Sequence, residues 1–166
     1  ETNKMIDKVL EAGGADIIVH SVSLPLSRKE LIEKDWADFE KNIALQAKSL
    51  FLITQRLIPA MKQKKEGRII SIVSEVVAGK APVGLSDYTV AKYALLGLSN
   101  CIASEYDRFN IRCNSISPGF IETDLTKDFP ARFKELAKGT TAEEVAAAVK
   151  SLCFEDKFIN GENISV

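Results

Sequence analysis

The sequence predicts an α/β protein, a partial doubly wound parallel sheet with flanking helices. Two observations lead there. Helical and strand-like segments alternate along the chain. The strand-like segments are also continuous apolar runs, not the alternating pattern of a sheet with one wet face.

The elements follow in order. Residues 2–12 place Met5, Ile6, Val9 and Leu10 at helical spacing, and Gly13-Gly14 closes that helix. Asp16-Ile17-Ile18-Val19-His20 reads as a strand covered on both faces. A loop with Pro25 follows, in which Ser27 is a candidate cap for a short turn. Residues 35–64 form one long helical stretch, with Pro59 a candidate kink near its end. Gly67 breaks the pattern before a second buried strand over 68–74, and 75–85 reads as a loop. Ser86 or Asp87 is expected to cap a helix running to about Phe109. A third strand spans 111–117 and stops at Pro118-Gly119. Residues 121–138 are polar and read as a mobile lid with short helices. Thr141 and Glu144 form a capping box that starts a helix to about Phe154. The turn signal Asn160-Gly161 precedes a fourth strand from Asn163.

The 166 residues suggest one domain, without internal repeat or linker. A net charge of −1 points away from nucleic acid and anionic membranes, and no apolar run approaches the roughly 18 residues of a membrane span. The three cysteines have no CxxC spacing, so neither a disulfide framework nor a metal site is expected, and a reducing cytoplasm fits. Cys101 and Cys113 read as small core residues. Asn163-Ile164-Ser165 matches a glycosylation acceptor, but the match is short and the compartment unsuitable. The chain opens on Glu1 inside a helical pattern and ends on Val166 inside a strand-like run, so both ends read as cut.

The chemistry centres on Tyr88 and Lys92. Their i, i+4 spacing puts both on one helix face. A free phenol near pKa 10 exchanges protons poorly at neutral pH, and a neighbouring ammonium is expected to lower that value. The pair then suits a carbonyl/alcohol couple. On its own such spacing more often marks a plain surface pair. Context changes the odds. Ser74 ends the preceding strand, where open α/β sheets place ligand contacts, and its hydroxyl suits polarising a substrate oxygen.

Three stretches surround these residues: Gly67-Arg-Ile-Ile-Ser-Ile-Val-Ser74, Tyr88-Thr-Val-Ala-Lys92-Tyr-Ala-Leu-Leu-Gly97, and Asn110-Ile-Arg-Cys-Asn114-Ser-Ile-Ser-Pro118-Gly119-Phe-Ile-Glu-Thr123. Together they closely resemble the short-chain dehydrogenase/reductase family, in its classical type and most like the 3-oxoacyl-carrier-protein reductases. The resemblance implies a Rossmann-like domain and an NADP or NAD cofactor, with NADP preferred. It implies that Ser74 orients the substrate, Tyr88 is the acid/base, and Lys92 tunes it and holds the nicotinamide ribose. Asn42 matches the helix asparagine that supports a water-linked proton relay; the plainer reading is a helix-interior side chain capturing a backbone group. Ser21, Pro118, Gly119, Ile121 and Thr123 fall where the family contacts the cofactor, along with Tyr88 and Lys92. The implied substrate is a small carbonyl compound, with a 3-oxoacyl thioester of fatty acid biosynthesis the leading candidate. The implied partner is a second copy, as homodimer or homotetramer, through the long helices over 35–64 and 87–109.

The chain departs from the family twice. It holds no glycine-rich turn to cradle a pyrophosphate, and aligned on the family it begins at the helix before the fourth strand. Residues 1–166 therefore read as the C-terminal catalytic portion of one Rossmann-like domain. The residue that selects NAD or NADP falls outside them. Where the family has Asn-Asn-Ala-Gly, this chain has His20-Ser21-Val22-Ser23. The lone histidine reads as structural. A His-Ser pair is similar to the enoyl reductase branch, but that branch spaces its Tyr and Lys more widely, so the spacing here argues for a carbonyl reductase. The competing reading is a non-catalytic dimerising or regulatory subunit with a relic site.

Overall fold

The computed structural model describes residues 2–123, 126, 139–155 and 158–166. Four parallel strands lie in the order β1 (Ile17–His20), β2 (Gly67–Ile72), β3 (Ile111–Ser117), β4 (Asn163–Ser165). The register pairs Ile18 with Ile69, Ile70 with Asn114, and Ile116 with Ile164. Helices α1 (Thr2–Glu11), α2 (Trp36–Ile43), α3 (Ser49–Lys64), α4 (Ser86–Tyr106) and α5 (Ala142–Phe154) connect and cover the strands. The expected parallel α/β sheet with flanking helices is what forms.

Alternation along a strand separates two cores. Ile69 joins Ile18, Leu50, Met61, Leu95 and Ile111 beneath α1, α3 and α4. Its neighbour Ile70 points the other way, into Ile116 and Leu152 of α5. Both isoleucines are essentially inaccessible to solvent, which is why these strands carry apolar runs rather than alternating patterns. Cys113 is buried as expected, whereas Cys101 is exposed, beside a groove between α3 and α4.

Several local signals hold in the structure. Gly13 and Gly14 close α1 at φ of +100° and +91°. Thr141 accepts from the Glu144 amide at 3.1 Å, while Glu144 accepts from the Thr141 amide at 2.8 Å, so the capping box starts α5. Asn163 of the acceptor-like tripeptide lies in β4 and accepts from the Ser117 hydroxyl at 2.7 Å.

Other elements differ from expectation. The long helix over 35–64 is divided by a π-helical turn at Ala44–Lys48, though it runs through Pro59 without ending. Neither Ser86 nor Asp87 caps α4, whose N-cap is Leu85 with no side-chain bond, because the Asp87 carboxylate is engaged elsewhere. The last expected turn of α4 is a separate 3-10 turn, Asp107–Phe109, which ends at left-handed Asn110. The short turn of the loop after β1 starts at Glu30, not Ser27. The lid expected over 121–138 lies mostly outside the described residues.

Candidate functional site

Parallel strands end on one edge, so the residues after β1, β2 and β3 meet there. These are Ser21, Ser74 and Pro118-Gly119, and α4 places its first turns against them. They border a cleft of about 840 Å³. Its lining includes Ser21, Ser74, Tyr88, Lys92, Pro118, Gly119, Ile121 and Thr123. Every catalytic or cofactor-binding candidate from the sequence except Asn42 is in that lining.

Tyr88 and Lys92 are 8% and 3% exposed, so their protons exchange within a largely dry site. The Lys92 ammonium donates to the Ile72 carbonyl at 2.9 Å and lies 5.5 Å from the Tyr88 ring centre. Burial lowers the Lys92 pKa to about 8. Burial also raises the Tyr88 phenol above its ordinary value, opposed by a hydrogen bond with the Ser74 hydroxyl. The shift runs opposite to the lowering expected from the lysine, which is itself desolvated and donates to the sheet carbonyl. At neutral pH the phenol holds its proton.

Asn42, 7% exposed on α2, does not line the cleft. Its amide donates to the Asp38 carbonyl at 3.2 Å and to Asp87 Oδ2 at 3.0 Å. It does capture a backbone group, and it also reaches the residue next to Tyr88.

His20 is buried at the end of β1, with Nε2 2.8 Å from the Ser49 hydroxyl. That hydroxyl donates to the Leu45 carbonyl inside the π-helical turn, so it accepts from His20 and fixes the proton on Nε2. Burial, then the charge of Lys92, holds the imidazole pKa at about 4. His20 is a neutral strut between β1 and α3 and does not line the cleft.

Sequence reasoning missed Asp87 and Lys34, a buried ion pair at 2.6 Å whose partners lie far apart in the chain. It also missed the cleft wall made by Val22, Ser23, Arg28, Val76 and Leu85. The adjacency of Asp87 to Tyr88 is the one available signal, and an acidic residue at a helix start reads equally well as a cap.

The donor set of the cleft suits the cofactor that the sequence implies. Lys92 gives one hydrogen to Ile72 and has two more to offer a diol. The Ser21 and Thr123 hydroxyls add polar contacts, and Ile72, Val73 and Pro118 supply apolar walls for a planar ring. These residues fit the nicotinamide–ribose end.

Known proteins resemble this chain in sequence and in fold. A family model described as Enoyl-(Acyl carrier protein) reductase matches residues 1–166. The chain is 32% identical to a 3-oxoacyl-[acyl-carrier-protein] reductase of Aquifex aeolicus, over 99% of this chain and 69% of that protein. It is 35% identical to the human dehydrogenase/reductase SDR family member 2, covering all of this chain and 62% of that one. The crystal structure of an acetoin dehydrogenase from Enterobacter cloacae superposes with a TM-score of 0.84 at 26% identity, over 98% of this chain and 67% of the other. The chain therefore spans about two thirds of the length of the relatives it matches.

Proposed function

The chain belongs to the short-chain dehydrogenase/reductase family of NAD(P)-dependent oxidoreductases, and we propose that it reduces the carbonyl of a 3-oxoacyl thioester to a hydroxyl. The observation that carries this reading is the meeting of Ser74, Tyr88 and Lys92 in one cleft with the 118–123 segment. Bound there, the nicotinamide would supply the hydride. Ser74 would hold the carbonyl oxygen through its hydroxyl. The protonated Tyr88 phenol would give that oxygen its proton as negative charge develops on it. Lys92 would hold the ribose and stabilise the phenolate left behind. Residues 1–166 would act as the C-terminal catalytic portion of a Rossmann-like domain. The i, i+4 spacing of Tyr88 and Lys92 favours this carbonyl chemistry over enoyl reduction.

The test is cofactor oxidation by the intact protein with a 3-oxoacyl thioester. We expect turnover with NADPH exceeding that with NADH, and no consumption of either would overturn the reading.

The partner we propose is a second copy of the chain. Between α3 and α4 runs a groove of about 660 Å³ whose lining includes Phe51, Ile58, Leu98, Cys101, Ile102 and Phe109. Phe51 is 47% exposed, so the sheet does not cover it. Phe51→Glu is expected to shift the molar mass measured by light scattering from dimer or tetramer toward monomer. An unchanged mass would remove this face from the interface. No helix among the described residues is long and apolar enough to cross a membrane. The free thiols of Cys101, Cys113 and Cys153 fit a reducing cytoplasm.

A further inference from the structure

The Asp87 carboxylate is shared between two elements. Oδ1 accepts from Lys34 Nζ at 2.6 Å and Oδ2 from Asn42 Nδ2 at 3.0 Å. The Lys34 side chain is 1% exposed and that of Asp87 7%, so the ion pair is almost dry. Lys34 also donates to the Ser27 carbonyl at 2.8 Å. One carboxylate therefore joins the 21–35 loop, helix α2, and the first turn of α4 beside Tyr88. The same loop has two further ties to the segment before α4. The Lys29 amide donates to the Gly84 carbonyl at 3.1 Å, and Arg28 Nη2 donates to the Val83 carbonyl at 3.2 Å. Ser21, Ser23 and Arg28 of that loop line the cleft.

A buried ion pair is a poor device for stability alone. Desolvating both charges offsets most of their attraction, and apolar residues of similar size often serve a fold as well. What directional bonds from α4 to two other elements do provide is a fixed register. Along α4 the next residue is Tyr88, whose phenol must meet a substrate oxygen within hydrogen-bond reach.

We propose that Asp87 is a positioning residue for Tyr88, holding the α4 turn against Asn42 and, through Lys34, against the cleft-wall loop. The proposal rests on the reductase reading, because it assigns Asp87 a part in that site. Rotation of the turn would carry the phenol off its mark while leaving the cofactor contacts of Lys92 and the 118–123 segment in place. The expected signature is a loss in kcat with little change in KM.

The experiment compares two variants of the intact protein that match in charge. K34M/D87A and K34M/D87N both remove the ion pair, but only the amide of K34M/D87N keeps an oxygen for Asn42. K34M/D87A is expected to lose at least about tenfold in kcat, with KM for substrate and cofactor within about twofold. K34M/D87N should recover most of that loss. Equal kcat values in the two would overturn the proposal.

A second readout needs no turnover. The Tyr88 phenol is titrated by ultraviolet difference and identified as the signal absent from Tyr88→Phe. A loosened turn admits water, so the phenol of K34M/D87A should ionise at lower pH than that of K34M/D87N. Coincident curves would overturn the proposal. If the intact protein reduces no carbonyl, the reductase reading fails and the titration still decides the role of Asp87. If K34M/D87A does not fold, Asp87→Glu replaces it. That change keeps the charge but moves the carboxylate by one methylene, and here unchanged kcat would overturn the proposal.

Discussion

Tyr88→Phe is expected to lower kcat by about 10²–10⁴-fold, the span that a positioned general acid contributes. The change removes one hydroxyl from a side chain only 8% exposed, so the fold should survive. KM for the cofactor should stay near the parent value, because Lys92 and the 118–123 segment remain. The phenol sits above its ordinary pKa, so the parent holds the reactive proton through neutral pH. Reduction should therefore slow as pH rises through that value, and the dependence should vanish in the residual activity of the variant. Steady-state rates of both proteins across pH check this. A variant within about tenfold of the parent would remove Tyr88 from the proton transfer.

Lys92→Met should move turnover and stability in opposite directions. Turnover should fall by about 10²-fold or more, since the charge that stabilises a phenolate is gone. Stability of the cofactor-free protein should rise. Folding moves the Lys92 pKa from 10.5 down to about 8. The unfolded chain therefore binds more protons between those values, and stability increases with pH across that window. The penalty is present in full below about 8 and absent above 10.5. It amounts to about 3 kcal/mol. Losing the charged hydrogen bond to Ile72 costs about 2 kcal/mol. The variant should therefore gain about 1 kcal/mol at pH 7, and its stability should rise less between pH 8 and 10 than the parent's. Thermal melts at pH 7 and pH 9 measure both. A variant that melts no higher than the parent at pH 7 would show that the lysine is comfortable in its site.

Much of the fold is legible in the sequence because its signals are local. Apolar runs such as Ile69-Ile70 report burial on both faces, and Gly13-Gly14 and Thr141-Glu144 end and start helices with their own atoms. The site is legible for a different reason. Ser74, Tyr88, Lys92 and the 118–123 segment sit at strand ends and on one helix face, so topology alone gathers them. What stayed hidden depends on distant partners. Asp87 looks like a cap until Lys34 and Asn42 arrive from elsewhere in the chain. The Tyr88 shift follows from how deeply the phenol is buried, which no spacing reveals. Cys101 lies in an apolar helical run, but only packing shows that its side of α4 is uncovered.

The π-helical turn at Ala44–Lys48 stores its information as a residue count. Each residue advances a helix by about 100°. One residue of surplus therefore turns everything downstream by that angle about a nearly common axis. Upstream, Asn42 faces Asp87 of α4. Downstream, Leu50, Leu57 and Met61 face the sheet, and Ser49 meets His20. An uninterrupted α-helix through the same stretch would set one of these groups out of phase. A single rod thus serves two surfaces that no uniform periodicity could satisfy together. Deleting a residue there would act like a substitution at every position on one side of the cut.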